Sequence, residues 1–179
     1  MTGKRSTIQR RTFLGAVLAG AAGGTAIALG KRGGSGWRFF TDEEAWTVAA
    51  ICEQLIPADR DPGARQAGVV NYIDIQLTRH FKKHRKVYRS GIEKVQGISR
   101  GRFGNAFADL SPEKQQEILN HVEKHVQPFF DLILAHTRQG FYGDPRHGGN
   151  RDMVSWKMLG LPFPPVRGRM HYGDGPKVG

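Results

Sequence analysis

The strongest constraint on the fold is a series of helix starts and stops with no strand alternation between them. Thr41-Asp42-Glu43-Glu44 is a capping box, with Thr41 at the N-cap and Glu44 three residues on. The helix it opens carries Trp46, Ala49, Ala50, Ile51 and Leu55 and must stop before Pro57. A loop with Pro62-Gly63 follows, then a second helix over residues 69–81, with Val70, Ile73 and Leu77 on one face. A third runs from His84 to about Phe103 through Val87, Ile92, Val95 and Ile98, weakened by Gly91 and Gly97. Ser111-Pro112 is an N-cap followed by proline at N1, and Ile118, Leu119, Val122 and Val126 continue that helix. Pro128 marks a break or a new start. The apolar helix after it holds Phe129, Phe130, Leu132, Ile133 and Leu134 and ends at Gly140 as a C′ residue. The expected fold is all-α: a small helical domain of about five helices.

Beyond Gly140 the chain changes character. Gly, Pro, Asn and aromatics dominate, with neither a helical period nor strand alternation. Phe141, Tyr142 and Trp156 set between glycines and prolines describe a long structured loop, and such loops commonly make binding surfaces. Phe141, Tyr142, Asp144, Pro145, Gly148, Gly149, Asn150 and Trp156 are the candidate interface residues. The competing reading is a loop that closes the core, with Trp156 as its plug.

The N-terminus is of a different kind. Arg10-Arg11-Thr12-Phe13-Leu14 precedes a weakly apolar stretch, residues 13–29, interrupted by Gly15, Gly20, Gly23 and Gly24. Each glycine costs a helix about 1 kcal/mol relative to alanine, so this is a poor permanent membrane span. Paired arginines followed by Phe-Leu mark a twin-arginine export signal, and Ala26-Ile27-Ala28 fits small-x-small cleavage after Ala28. The chain then divides into a signal at 1–28, a Gly- and Arg-rich linker at 29–38, the helical domain at 39–165 and a tail at 166–179. Export of a folded chain implies a periplasmic location and an encounter with the twin-arginine translocase.

After cleavage about 150 residues remain, enough for one domain with a modest core. The formal charge of the whole chain is +11, and the signal holds four of its 27 Lys and Arg and no acid, so the rest is still basic. Cations concentrate in residues 79–89: Arg79, Lys82, Lys83, Arg85, Lys86 and Arg89, with His80 and His84 among them. A nucleic-acid patch conflicts with export and lacks a stacking motif. A solvated helix face, or a surface for an acidic protein partner, fits better. The single cysteine, Cys52, excludes an internal disulfide framework and any Cys-rich zinc or iron–sulfur site built by this chain alone. Such a residue either pairs with another subunit or, more commonly, sits buried in a helix. His80/His84 and His121/His125 have the four-residue spacing of helical metal sites. The first pair lies in the basic cluster, and Glu123 falls on a different helix face from the second.

The C-terminal segment resembles the gluconate 2-dehydrogenase subunit 3 family. That pattern matches Gly140, Phe141, Tyr142, Asp144, Pro145, Gly148, Gly149, Asn150, Asp152, Trp156, Gly160 and Pro162, while His147 and Leu161 stand where aromatics are common. Leu55-Ile56-Pro57, Pro62-Gly63-Ala64 and Ala67-Gly68-Val69 are also similar. The resemblance implies a small subunit of membrane-associated, flavin-dependent sugar or sugar-acid dehydrogenases. It implies no catalytic, cofactor-binding or metal-binding residue in this chain. The partner would be a large FAD-containing subunit of the glucose–methanol–choline type, often with a cytochrome c subunit. The small subunit would supply the export signal, and the complex would lie at the periplasmic side of the inner membrane. The alternatives are a free-standing periplasmic enzyme or metal protein using His80, His84, His121 or His125, and an export chaperone that leaves the mature complex.

Overall fold

The computed structural model describes residues 36–161, and the expected export signal, most of the expected linker, Pro162 and the tail lie outside them. Six α-helices follow one another: α1 Asp42–Leu55, α2 Val69–Leu77, α3 Arg85–Phe103, α4 Pro112–His125, α5 Gln127–Tyr142 and α6 Val154–Met158. Four single 3-10 turns join them, and the described residues contain no strand. The all-α expectation holds. The addition is α6, whose five residues are too few to show a helical period in sequence.

α1 begins as its capping box dictates. Thr41 N–H donates to Glu44 Oε2 at 2.8 Å, and Glu44 N–H to Thr41 Oγ1 at 3.3 Å, an arrangement worth about 1 kcal/mol. Its buried stripe is Ala45, Val48, Ile51 and Cys52. Trp46 falls off that stripe and is 62% exposed. The chain entering α1 is fixed by α2. Buried Asp74 accepts from the backbone N–H groups of Arg38 (2.7 Å), Phe39 (2.9 Å) and Phe40 (3.0 Å). Removing this carboxylate would orphan three donors, at about 1–3 kcal/mol for each that stays buried.

α2 ends at Leu77, four residues short of the sequence expectation. Thr78 Oγ1 turns back onto the Ile75 carbonyl at 2.8 Å, and Arg85 Nε donates to the Leu77 carbonyl at 2.6 Å. These side chains satisfy acceptors that a further helical turn would have used. α5 is the central helix, touching the other five. It buries Phe129, Ile133, His136, Thr137, Gly140 and Phe141. Gly140 does not end it. The helix runs through to Tyr142, with Gly143 as C-cap. A side chain at Gly140 would come within 2.9 Å of the Tyr72 ring, so this glycine permits close packing. Gly91 does the same for α3, because a Cβ there would strike the ring of Phe129, whereas Gly97 faces open space.

Among the described residues the buried polar side chains are paired, apart from Ser155 Oγ. Cys52 is buried with Sγ 3.2 Å from Thr137 Oγ1, and burial pushes its thiol up to about 12. His136 is buried on α5 between two rings. Phe81 stacks on it at 3.8 Å, Tyr88 lies parallel at 5.8 Å, and Tyr88 Oη is 2.9 Å from its Nδ1. Burial, aided by nearby His84, pulls the His136 imidazole down to about 4.

Two predictions follow from this packing. Gly91→Ala should lower stability by about 2 kcal/mol, because overpacking against Phe129 outweighs the gain in helix propensity. Gly97→Ala should raise it by up to about 1 kcal/mol. Thermal melts of both variants check this, and equal shifts would refute the packing argument. For His136 the unfolded chain, with an ordinary imidazole near 6.5, binds the proton more readily than the native one. The contribution of His136 is therefore complete above pH about 6.5 and declines as pH falls toward 4. In urea titrations across that window, His136→Phe should flatten the slope of stability against pH even where its absolute stability is lower.

Candidate functional site

The segment after α5 folds back onto α2 and α5, and the motif residues are what hold it there. Asp144 caps a 3-10 turn at Pro145–His147 by accepting from the Arg146 N–H at 3.0 Å, and its carboxylate also meets Arg146 Nε at 3.3 Å. Gly148, at φ 97°, then turns the chain against α2, where Asn71 Nδ2 donates to its carbonyl at 2.7 Å. A side chain on Gly149 would collide with the Gly140 carbonyl, so the two glycines allow two backbones to touch.

Asn150 is fully buried and joins both ends of the segment. Its Nδ2 donates to the Gly143 carbonyl at 2.9 Å, and its Oδ1 accepts from the Ser155 N–H at 3.0 Å. The Arg151 N–H donates to the Ala67 carbonyl at 2.9 Å, reaching the loop before α2. Trp156 is buried, with Nε1–H donating to the Tyr142 carbonyl at 2.9 Å. The Gly-Gly-Asn run and the tryptophan thus form one staple that closes the end of α5.

This segment is strained. Asn150 (φ 43°), Asp152 (φ 56°) and Met153 (φ 57°) are all left-handed. Asparagine and aspartate tolerate that region, but methionine adopts it at roughly 1 kcal/mol or more. Ser155 Oγ is buried without a hydrogen-bond partner. Such features gather where a backbone is shaped for something other than its own stability.

The aromatic residues expected to present a surface divide in two. Phe141 and Trp156 are 1% and 4% exposed, so they close the core, and the expectation that they expose apolar area is corrected. Tyr142 is 45% exposed. Of the five large hydrophobic side chains that are exposed among the described residues, four lie here: Tyr142, Met153, Leu159 and Leu161. Sequence reasoning missed the last three, because a lone Met or Leu among glycines carries no periodic signal.

The histidine pairs sit elsewhere. His121 and His125 stack at 4.2 Å on the surface of α4, with His125 Nδ1 2.9 Å from the His121 carbonyl oxygen. His84 lies near Phe81 and His136, and His80 is exposed. Among the described residues no group of three or more His, Cys, Asp or Glu stands close enough to hold a metal ion. A groove of about 500 Å³ runs between α1 and α3, where Glu43 pairs with Arg100 and Glu44 with Arg89.

Comparison with curated proteins and with solved structures found no match. The model of the family described as Gluconate 2-dehydrogenase subunit 3 matches residues 42–162, spanning all six helices and the stapled segment. The chain belongs to the gluconate 2-dehydrogenase subunit 3 family, the family of a small subunit of a dehydrogenase complex.

Proposed function

We propose that this chain is the non-catalytic small subunit of a periplasmic, flavin-dependent sugar or sugar-acid dehydrogenase, and that it docks on the large subunit through the segment after α5. In this reading FAD and the chemistry belong to the large subunit. The small one brings the twin-arginine signal and stabilises its partner, and a cytochrome c subunit can complete the assembly. The observation that carries the docking is the gathering of Tyr142, Met153, Leu159 and Leu161 on a backbone that is strained yet rigidly stapled. A rigid apolar centre loses little entropy on binding. Asp144, Arg146 and Arg151 give it the polar border that protein interfaces have.

Two experiments test the two halves of this reading. With both subunits co-expressed, a Tyr142→Ala/Leu161→Ser variant should lose about 2 kcal/mol or more of partner affinity while its own melting temperature hardly moves. Trp156→Ala should do the reverse, destabilising the domain by about 3–5 kcal/mol. A Tyr142→Ala/Leu161→Ser variant that captures the flavoprotein as wild type does would remove this surface from the interface.

The export half is tested by Arg10→Lys/Arg11→Lys. A translocase that reads the planar guanidinium pair should reject the ammonium pair. Both this chain and the flavoprotein should then stay in the cytoplasm. A flavoprotein that still reaches the periplasm would show that it does not depend on this signal.

A further inference from the structure

Arg85 and Arg89 of the basic cluster serve the fold, but its other Lys and Arg residues do not. Arg79, His80, Lys82, Lys83 and Lys86 are all exposed at the turn between α2 and α3, and none has an ion-pair partner among the described residues. No acid occurs from Ile75 to Ile92. The first turn of α3 also has no acid, although the positive end of a helix dipole favours one. Cations crowded together at a helix N-terminus repel one another and oppose the dipole.

The chain entry lies on the same surface. Arg89 Nη2 donates to the Phe39 carbonyl at 2.7 Å, and its guanidinium stands 4.3 Å from the centre of the Phe39 ring, with that of Arg85 at 5.4 Å. Asp74 holds the three amides around it. Eight residues, 30–37, separate this anchored entry from the apolar stretch 13–29.

We propose that the α2–α3 turn is an anionic-bilayer surface, which seats the folded domain on acidic lipid headgroups. Lysine is a compact point charge on a flexible stem, suited to a fluid layer of phosphates, and each one near such a surface adds about the same increment of binding. A protein partner fits less well, since interface cores are depleted in lysine and anchored by exposed aromatics. The exposed large hydrophobics lie elsewhere on this domain, and Phe81, within the cluster, is stacked on His136. No helix among the described residues is long and apolar enough to cross a membrane.

The test is sedimentation of the full chain with vesicles of phosphatidylcholine alone, or of phosphatidylcholine with phosphatidylglycerol. The apolar stretch supplies any binding common to both, and the difference isolates charge. Wild type should favour the anionic vesicles, and salt should remove that preference. Lys82→Gln/Lys83→Gln/Lys86→Gln should lose about 100-fold of it if all three lysines lie at the surface. Lys94→Gln/Lys114→Gln/Lys124→Gln, with the same net charge change on α3 and α4, should keep most of it. Equal losses in the two triple variants would reduce the effect to net charge and overturn the proposal. So would unchanged lipid binding in the first variant, including the case where it fails instead to capture the flavoprotein, which would make the cluster a protein contact.

Discussion

Both ends of the described chain hang from two polar side chains one turn apart on α2. Asp74 gathers the three amides that lead into α1, and Asn71 holds the Gly148 carbonyl of the segment after α5. Neither contact is local in sequence, with separations of 34–36 and 77 residues. A nine-residue helix is too short to persist alone. α2 persists because it packs on α5 and α1. It can therefore position the two ends only after the helical core has assembled.

The helix starts were legible because they are written in neighbouring residues. Thr41 and Glu44 bond each other, and Pro112 needs only to lack an N–H. The stops were less so. Gly140 is a good C′ residue in isolation, yet it serves the close approach of Tyr72 and Gly149 from elsewhere in the chain. The same applies to Gly91, which lowers helix propensity and at the same time admits Phe129. Asp74 and His136 carried no signal in sequence at all, since their roles depend on partners 34 or more residues away.

The segment after α5 was recognisable as a site of interest from its glycines and aromatics. Its division of labour was not. Composition does not say that Phe141 and Trp156 turn inward while Tyr142, one residue along the same helix, turns outward. That follows from the geometry of the last turn of α5, where the Tyr142 carbonyl receives the Trp156 indole and its ring is left in solvent. The motif is thus mainly a scaffold of backbone contacts, and the exposed side chains it carries are few.

The surroundings of Cys52 bear on where such a chain can operate. It is the only thiol in the sequence, enclosed by the packing of α1 on α5, and burial pushes it up to about 12, so the thiolate is disfavoured at neutral pH. Thiol–disulfide exchange needs both the thiolate and a path for a second sulfur to reach it. With neither at hand, the folded protein has the same covalent structure in reducing and oxidising surroundings. It can be completed in one compartment and used in the other without an oxidation step, an isomerase or the risk of a cross-link to a second copy.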